Sequence, residues 1–355
     1  MNTPRYLGYR FPAEWEKHEA TWLTWPFRDE SFPGKLESIY PFYLQFIKQI
    51  AVGEKVRINI PDFSYSELIK NLLVKNNIND IIVEFYVNPS NDVWCRDHGP
   101  AFLIKPGNPK TKAVVNWEFN AWGGKYNYEL DNKIAENIAS CLGLEIFKPG
   151  IIMEGGSVDF NGAGTLLTTT SCLLNKNRNP KLSQKQIEQY LCDYFCIDQV
   201  LWLNDGIAGD DTDGHIDDIT RFIDSETVVT MIESNKNDAN YFPLKENLKL
   251  LKKMRLIDDR QINIIELPMP EPVYYDNLRL PASYANFYFA NKALIVPTFR
   301  CRNDEVVLKL LSEIIKDRPV IGIDSVDIIW GFGSFHCLSQ QEPENKASPT
   351  PPKEW

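Results

Sequence analysis

Val56-Arg57-Ile58-Asn59-Ile60, then Ser64-Tyr65-Ser66-Glu67, then Ile81-Ile82-Val83-Glu84-Phe85-Tyr86-Val87: this stretch decides the fold. The outer runs are short, apolar and rich in β-branched residues, as strands are. The segment between them opens with Ser64 and carries Glu67 in capping-box position, which predicts a helix. Outward from there the same unit recurs. Upstream, a strand at 21–25 precedes a helix at 36–51. Downstream, strands are expected at 113–119, 166–170, 200–204, 227–232, 262–267, 293–297 and 320–323. Helices are expected between them at 128–142, 183–195, 244–254 and 305–316. Regular strand, helix, strand spacing predicts an α/β architecture of several similar units, although no repeated motif marks an internal duplication.

The chain has 355 residues, of which 43% are hydrophobic, 12% aromatic and 24% charged, the balance of a folded globular protein. A net charge of −10 argues against a non-specific nucleic-acid binder and suits a cationic small molecule. No apolar run approaches the roughly 18 residues of a membrane span, and Met1-Asn2-Thr3-Pro4 opens no apolar leader. The seven cysteines, at 95, 141, 172, 192, 196, 301 and 337, form no disulfide framework, so a cytoplasmic protein is expected. One domain is expected over 1–341. From 342 to 355 the chain turns proline-rich and polar, with Pro343, Pro349, Pro351 and Pro352, and reads as a mobile tail.

The unusual residues lie in polar, turn-like segments between the units. Asn91-Asp92-Val93-Trp94-Cys95-Arg96-Asp97-His98-Gly99-Pro100 sets Trp, Arg, Asp and His beside a Gly-Pro turn. Met153-Glu154-Gly155-Gly156-Ser157 holds a carboxylate at a strand end, where burial would demand a partner. In Gly209-Asp210-Asp211-Thr212-Asp213-Gly214-His215-Ile216-Asp217-Asp218, His215 and Asp217 are two apart and share a face if the segment is extended. Gly331-Phe332-Gly333-Ser334-Phe335-His336-Cys337 carries a cysteine on a glycine-rich turn that can expose its sulfur. No metal is expected: the acidic stretch lacks the glycine and closing glutamate of a calcium loop, and four histidines with no second cysteine pair make a poor zinc set.

These parts suit one chemistry. A guanidinium is a flat fork of N–H donors, which carboxylates can hold in plane while its central carbon stays open to a thiolate from above. A histidine then protonates the departing nitrogen and activates a water. Asp97 and Asp217 are the candidate clamps, Cys337 the nucleophile, His215 the acid and base, and Glu154 the partner that orients it. Trp94 is a candidate wall that stacks on the flat cation. Asp211, with Asp213, is a candidate for a second positive charge. Neither His98 nor His336 has a comparable claim, since His336 is adjacent to Cys337 and points to the other face of an extended chain. A reactive Cys337 should be alkylated ahead of the other cysteines.

The motifs Trp94–Pro100, Asn116-Trp117-Glu118-Phe119-Asn120-Ala121-Trp122-Gly123-Gly124, Glu154-Gly155-Gly156-Ser157, Asp211–Asp217, Leu280-Pro281-Ala282-Ser283-Tyr284-Ala285-Asn286-Phe287 and His336-Cys337-Leu338-Ser339-Gln340-Gln341 occur in this order. As a set they resemble the agmatine deiminase and bacterial-type peptidylarginine deiminase family of guanidino-group modifying enzymes, over nearly the whole chain. The resemblance implies a five-bladed α/β propeller, or pentein, with pseudo-fivefold units. It implies hydrolytic deimination without a cofactor or metal, self-association into a homo-oligomer, and the roles just assigned to Cys337, His215, Glu154, Asp97 and Asp217. Agmatine, hydrolysed to N-carbamoylputrescine and ammonia, is the first substrate expected; peptidyl-arginine and other guanidino compounds are the rivals. A non-catalytic guanidine- or polyamine-binding protein is the rival from another class. The chain departs from the family at Phe332, Ser334 and Phe335, where agmatine deiminases commonly read Gly-Gly-Gly-Asn-Ile-His-Cys, and an altered substrate pocket is expected there.

Overall fold

In the computed structural model, which describes residues 2–78, 80–107 and 111–344, strand Lys55–Ile60 pairs in parallel with Val83–Val87 across helix Ser64–Lys75. On its other side it pairs in parallel with His18–Thr24 across helix Leu36–Ile50, whose Ile39, Tyr43, Phe46, Ile47 and Ile50 form one buried stripe. The start of the Ser64–Lys75 helix differs from expectation. Asp62 caps it, accepting from the Ser64 backbone N–H at 2.8 Å and from its hydroxyl, while Glu67 turns to Lys70 at 3.1 Å. A carboxylate two residues upstream is the stronger acceptor. The reciprocal box forms instead at Ser183 and Gln186, on helix Gln184–Phe195.

Four more units repeat the pattern. Lys112–Val115 pairs with Glu145–Phe147 across helix Ile134–Leu142, and Thr165–Thr169 with Gln199–Leu203 across Gln184–Phe195. Thr227–Ile232 pairs with Asn263–Pro268 across Tyr241–Leu251, and Ala293–Thr298 with Val320–Asp324 across Asn303–Ile314. Each unit also carries a short antiparallel strand that no sequence pattern announced: Ala101–Ile104, Val158–Phe160, Thr220–Phe222 and Tyr288–Ala290 in the later four. In the first unit that strand is Ser339–Pro343, from the far end of the chain, paired with His18–Thr24. The described strands thus form five mixed sheets and one two-stranded hairpin.

Ser339–Pro343 corrects the boundary expected at residue 341. Glu342, 2% exposed, accepts from Trp22 Nε1 at 2.9 Å and pairs with Arg57 and Lys112, so residues 342 and 343 belong to the sheet. Residues 345–355 of the expected tail lie outside the described residues. Apolar clusters join neighbouring units: Trp22 with Ile138, Val115 with Leu166, Leu203 with Val229 and Leu294, and Ile295 of the last unit with Ile58 of the first. No helix among the described residues is long and apolar enough to cross a membrane.

The short strands matter because a polar turn leads into every one of them. The turns are Cys95–His98, Gly155–Ser157, Ile216–Asp218, the loop containing Asn286, and the loop containing Cys337. One side-chain constellation therefore collects a contribution from each of the five sheets.

Candidate active site

Cys337 is 6% exposed and held by its neighbour Asn286. Asn286 Nδ2 donates to Cys337 Sγ at 3.0 Å and to Asp218 Oδ1 at 3.0 Å, while Asn286 Oδ1 accepts from the Cys337 backbone N–H at 3.4 Å. Cys337 Sγ also lies 3.5 Å from Asp217 Oδ2. Burial, then the negative charges of Asp217, Asp218 and Asp97, push the thiol well above its ordinary value. The glycines of this loop do not act as expected. Neither Gly331 nor Gly333 takes a positive φ; Phe332 does, at 69°. The glycines instead allow close packing on an indole, since a Cβ on Gly333 would stand 2.5 Å from Trp94 and one on Gly331 2.7 Å from it.

His215, Asp97 and Asp217 meet beside the sulfur. His215 Nδ1 lies 3.8 Å from Asp97 Oδ1 and 4.0 Å from Asp217 Oδ1, too far for hydrogen bonds. Among the described residues both ring nitrogens of His215, and Asp217 Oδ1, are buried without a hydrogen-bond partner. Gly156 makes this gathering sterically feasible. A Cβ there would stand 2.6 Å from His215 Nδ1, 2.9 Å from Asp97 Oδ1 and 3.0 Å from Asp217 Oδ2. Asp97 is fixed at both oxygens, by the Gly156 N–H at 2.9 Å and by Trp122 Nε1 at 2.9 Å. Burial raises the Asp97 carboxyl, and nearby Asp217 and Glu154 raise it further against His215.

Glu154 does not hydrogen-bond His215, contrary to expectation. Fully buried, its carboxylate accepts from Arg178 Nε at 2.6 Å, and that guanidinium also bonds Asp213 and the Thr212 carbonyl. A buried carboxylate takes the stronger cationic partner, and Arg178 ties it to the loop that carries His215.

His336, which its position beside Cys337 does not mark, is central to the site. Its Nδ1 meets Asp217 Oδ2 at 2.7 Å and its Nε2 meets Glu14 Oε2 at 2.8 Å. Burial raises Asp217, but the hydrogen bond and charge of His336 outweigh it and hold the carboxyl below its usual range. Glu14 is likewise held well below, with Arg221, His336 and Arg96 overcoming burial. Both ring nitrogens of His336 therefore face carboxylate oxygens. Arg221 continues the network to Asp159 at 2.6 Å, and Arg96 reaches Gln341 at 2.7 Å. Glu14 lies between Phe11 and Trp15 with Glu16 two residues on, and nothing in the local sequence signals its place at this hub.

The sulfur and Asp97 lie at the base of a cleft of about 650 Å³, open solvent at its mouth included. Trp94, Trp122, Tyr275, Trp330 and Phe332 wall it, and Glu30, Asp92 and Asp211 stand among its lining residues. Trp94 lines the cleft and packs against Gly331 and Gly333. Asp211 lines the cleft but is already paired, with Tyr126 at 2.7 Å and Lys125 at 3.3 Å, and Asp213 turns away to Arg178 and Lys125. Of the three departures only Phe332 reaches the cleft. Phe335 is fully buried against Phe46, with ring centroids 4.8 Å apart, and Ser334 shares a 2.6 Å hydrogen bond with Ser325.

Comparison with known proteins places this geometry. The family model for Porphyromonas-type peptidyl-arginine deiminase matches residues 10–343. A curated relative from Legionella pneumophila (strain Paris), provisionally named an agmatine deiminase, is 39% identical across 97% of this chain and 99% of its own length. A C. jejuni agmatine deiminase with one cysteine replaced by serine, solved with substrate bound, superposes with a TM-score of 0.86 at 37% identity, covering 94% of this chain and 96% of that one. An Enterococcus faecalis agmatine deiminase superposes with a TM-score of 0.87 at 30% identity, covering 98% and 99%. The chain belongs to the Porphyromonas-type peptidyl-arginine deiminase family, hydrolases that act on C–N bonds.

Proposed function

We propose that this chain hydrolyses agmatine to N-carbamoylputrescine and ammonia, with Cys337 as nucleophile. The observation that carries the reading is the set of unpartnered buried atoms, both His215 nitrogens and Asp217 Oδ1, beside Cys337 Sγ and Asp97. A planar cation with several N–H donors would complete Asp217 Oδ1 and the one His215 nitrogen that carries a lone pair. Its positive charge would also offset the carboxylates that hold the thiol protonated, so substrate binding itself favours the thiolate.

The steps balance as follows. As the cation binds, the Cys337 thiol passes its proton to His215, and the thiolate adds to the guanidinium carbon, forming C–S; the C–N bond to a terminal nitrogen breaks, and His215 delivers that proton to the nitrogen, which leaves as ammonia. A water gives one proton to His215, which releases it to solvent, and adds as hydroxide to the same carbon; on C–S cleavage the sulfur takes the hydroxyl proton, which restores the thiol and leaves the neutral ureido product. Asp97 and Asp217 hold the guanidinium. Asn286 orients the sulfur, Arg178 and Glu154 brace the His215 loop, and His336 fixes Asp217. We also infer that the five similar sheets stand as five blades around this site, a reading supported by the cluster joining the last unit to the first.

Agmatine is favoured over free arginine by the cleft. Glu30 and Asp92 favour a distal ammonium and disfavour a distal carboxylate, whereas Asp211 is already paired with Lys125. Names of similar proteins agree, as does the C. jejuni agmatine deiminase with one cysteine replaced by serine, which was solved with substrate bound. The test is ammonia release from agmatine, free arginine, a C-terminal arginyl peptide and methylated arginines, with Cys337→Ala as control. Release from agmatine alone, abolished in the control, is the expected result. Release from another guanidine keeps the chemistry and discards the substrate; no release from any of them leaves the binding-protein alternative.

A further inference from the structure

We propose that Glu154, Cys172 and His215 form an inhibitory site for a thiophilic divalent cation of the Zn²⁺ type. A carboxylate oxygen, a sulfur and a ring nitrogen, one from each residue, all lie within 4.8 Å of one another. Cys172 Sγ is already 3.9 Å from Glu154 Oε2. Zinc bonds of about 2.0–2.3 Å in a tetrahedron set ligand atoms roughly 3.5 Å apart, so small side-chain rotations close the set. A mixed S, N and O set is one that Zn²⁺ accepts and Mg²⁺ or Ca²⁺ does not.

A second observation points independently to a ligand. His215, 1% exposed, has no hydrogen-bond partner at either ring nitrogen among the described residues. The local charges also permit a cation. Arg178 occupies Glu154 Oε1 and shares its charge with Asp213, which leaves Oε2 facing Cys172. Asp97 and Asp217, at 3.8 and 4.0 Å from His215 Nδ1, add negative potential. Cys172 is set on the turn Thr170–Leu173, capped by Thr169, so its sulfur is presented by the backbone rather than by a flexible loop.

As the Zn–S bond forms, the Cys172 thiol proton passes to solvent, and water supplies the fourth ligand. The ion would hold the imidazole nitrogen that deimination needs for proton transfer, so occupation silences the enzyme. That inhibitory half rests on the function proposed above; the binding half does not.

Binding is tested with Co²⁺ on Cys337→Ala, which removes the other sulfur near His215. A thiolate-to-cobalt charge-transfer band saturating at one equivalent, displaced by Zn²⁺ and lost in Cys172→Ser/Cys337→Ala, is expected. No band in Cys337→Ala, or a band that survives in the double variant, overturns the site. Inhibition is tested by ammonia release: Cys172→Ser, or Cys172→Ala if the serine variant misfolds by circular dichroism, should need at least about tenfold more Zn²⁺ for half-inhibition. Equal sensitivity would assign the inhibition to Cys337 instead.

Discussion

Cys337 sits among carboxylates, and that reverses the reactivity its sequence context suggests. A thiol raised by burial and by Asp217, Asp218 and Asp97 reacts slowly with a neutral reagent, because little thiolate exists until a cation arrives. Iodoacetamide should therefore label exposed Cys141 before Cys337, whereas a cationic haloacetamidine should label Cys337 first. Asp217→Asn should speed the neutral reagent and slow the cationic one. Labelling rates from mass spectrometry decide the matter, and an unchanged ratio in the variant would sink substrate-assisted ionisation. Gly156 carries a second prediction. The Cβ of Gly156→Ala would press on His215 Nδ1, Asp97 Oδ1 and Asp217 Oδ2 at 2.6, 2.9 and 3.0 Å. About 10²-fold or more should be lost from kcat/KM with little change in Tm, since these are site atoms and not core. Activity within a few-fold of the parent protein would show that the three groups are not as close as described. At this scale the residue types were legible from chemistry, but their partners were not. Nothing near Glu154 announces Arg178, and nothing near Glu14 announces a histidine from residue 336, because such pairings are made across units.

Elements were legible in proportion to their length. Helices such as Leu36–Ile50 and paired strands such as Thr227–Ile232 repeat an apolar pattern often enough to be recognised. Val158–Phe160, Thr220–Phe222 and Tyr288–Ala290 have three residues each, too few to show a period. Ser339–Pro343 is buried throughout yet polar, so its composition imitated the start of a tail. What keeps it in the sheet is charge: Glu342 accepts from Trp22 and meets both Arg57 and Lys112 with 2% of its side chain exposed. Glu342→Gln keeps the shape and removes the charge, leaving two cations facing a neutral amide. Arg57 keeps Glu84 and Lys112 keeps Glu19, so the loss should be about 1–3 kcal/mol, visible as a drop in Tm and in the urea midpoint. A midpoint within error of the parent would mean that solvent screens the cluster and that the strand is held by its ladder alone.

Across the whole molecule, the buried acids divide into two groups whose stability effects run in opposite directions with pH. Glu14 and Asp217 are held below the usual range by cationic neighbours, so their contribution is present above the unfolded-state value and fades as pH falls through the folded one. Asp97 is raised by burial and by Asp217, and Asp131 is raised by burial to about 8. Their contribution is complete below the unfolded-state value and is lost as pH rises through the folded one. The unliganded protein should therefore lose Tm on both flanks, with Asp131 setting much of the loss up to about pH 8. A bound guanidinium changes only part of this balance. It brings a positive charge beside Asp97, whose carboxyl burial has raised, and so lowers that carboxyl again on binding. Proton release on binding makes affinity rise with pH below the free-state value. In Cys337→Ala, which cannot turn substrate over, the Tm gain from a fixed concentration of agmatine should grow as pH rises through the range in which the raised Asp97 carboxyl of the free protein titrates. In Asp97→Asn/Cys337→Ala that growth should vanish, leaving a smaller gain that no longer follows pH in this window. A gain that is flat or falling in Cys337→Ala would mean that Asp97 is already ionised before the ligand arrives, and the cation would then have no part in setting the charge of the site.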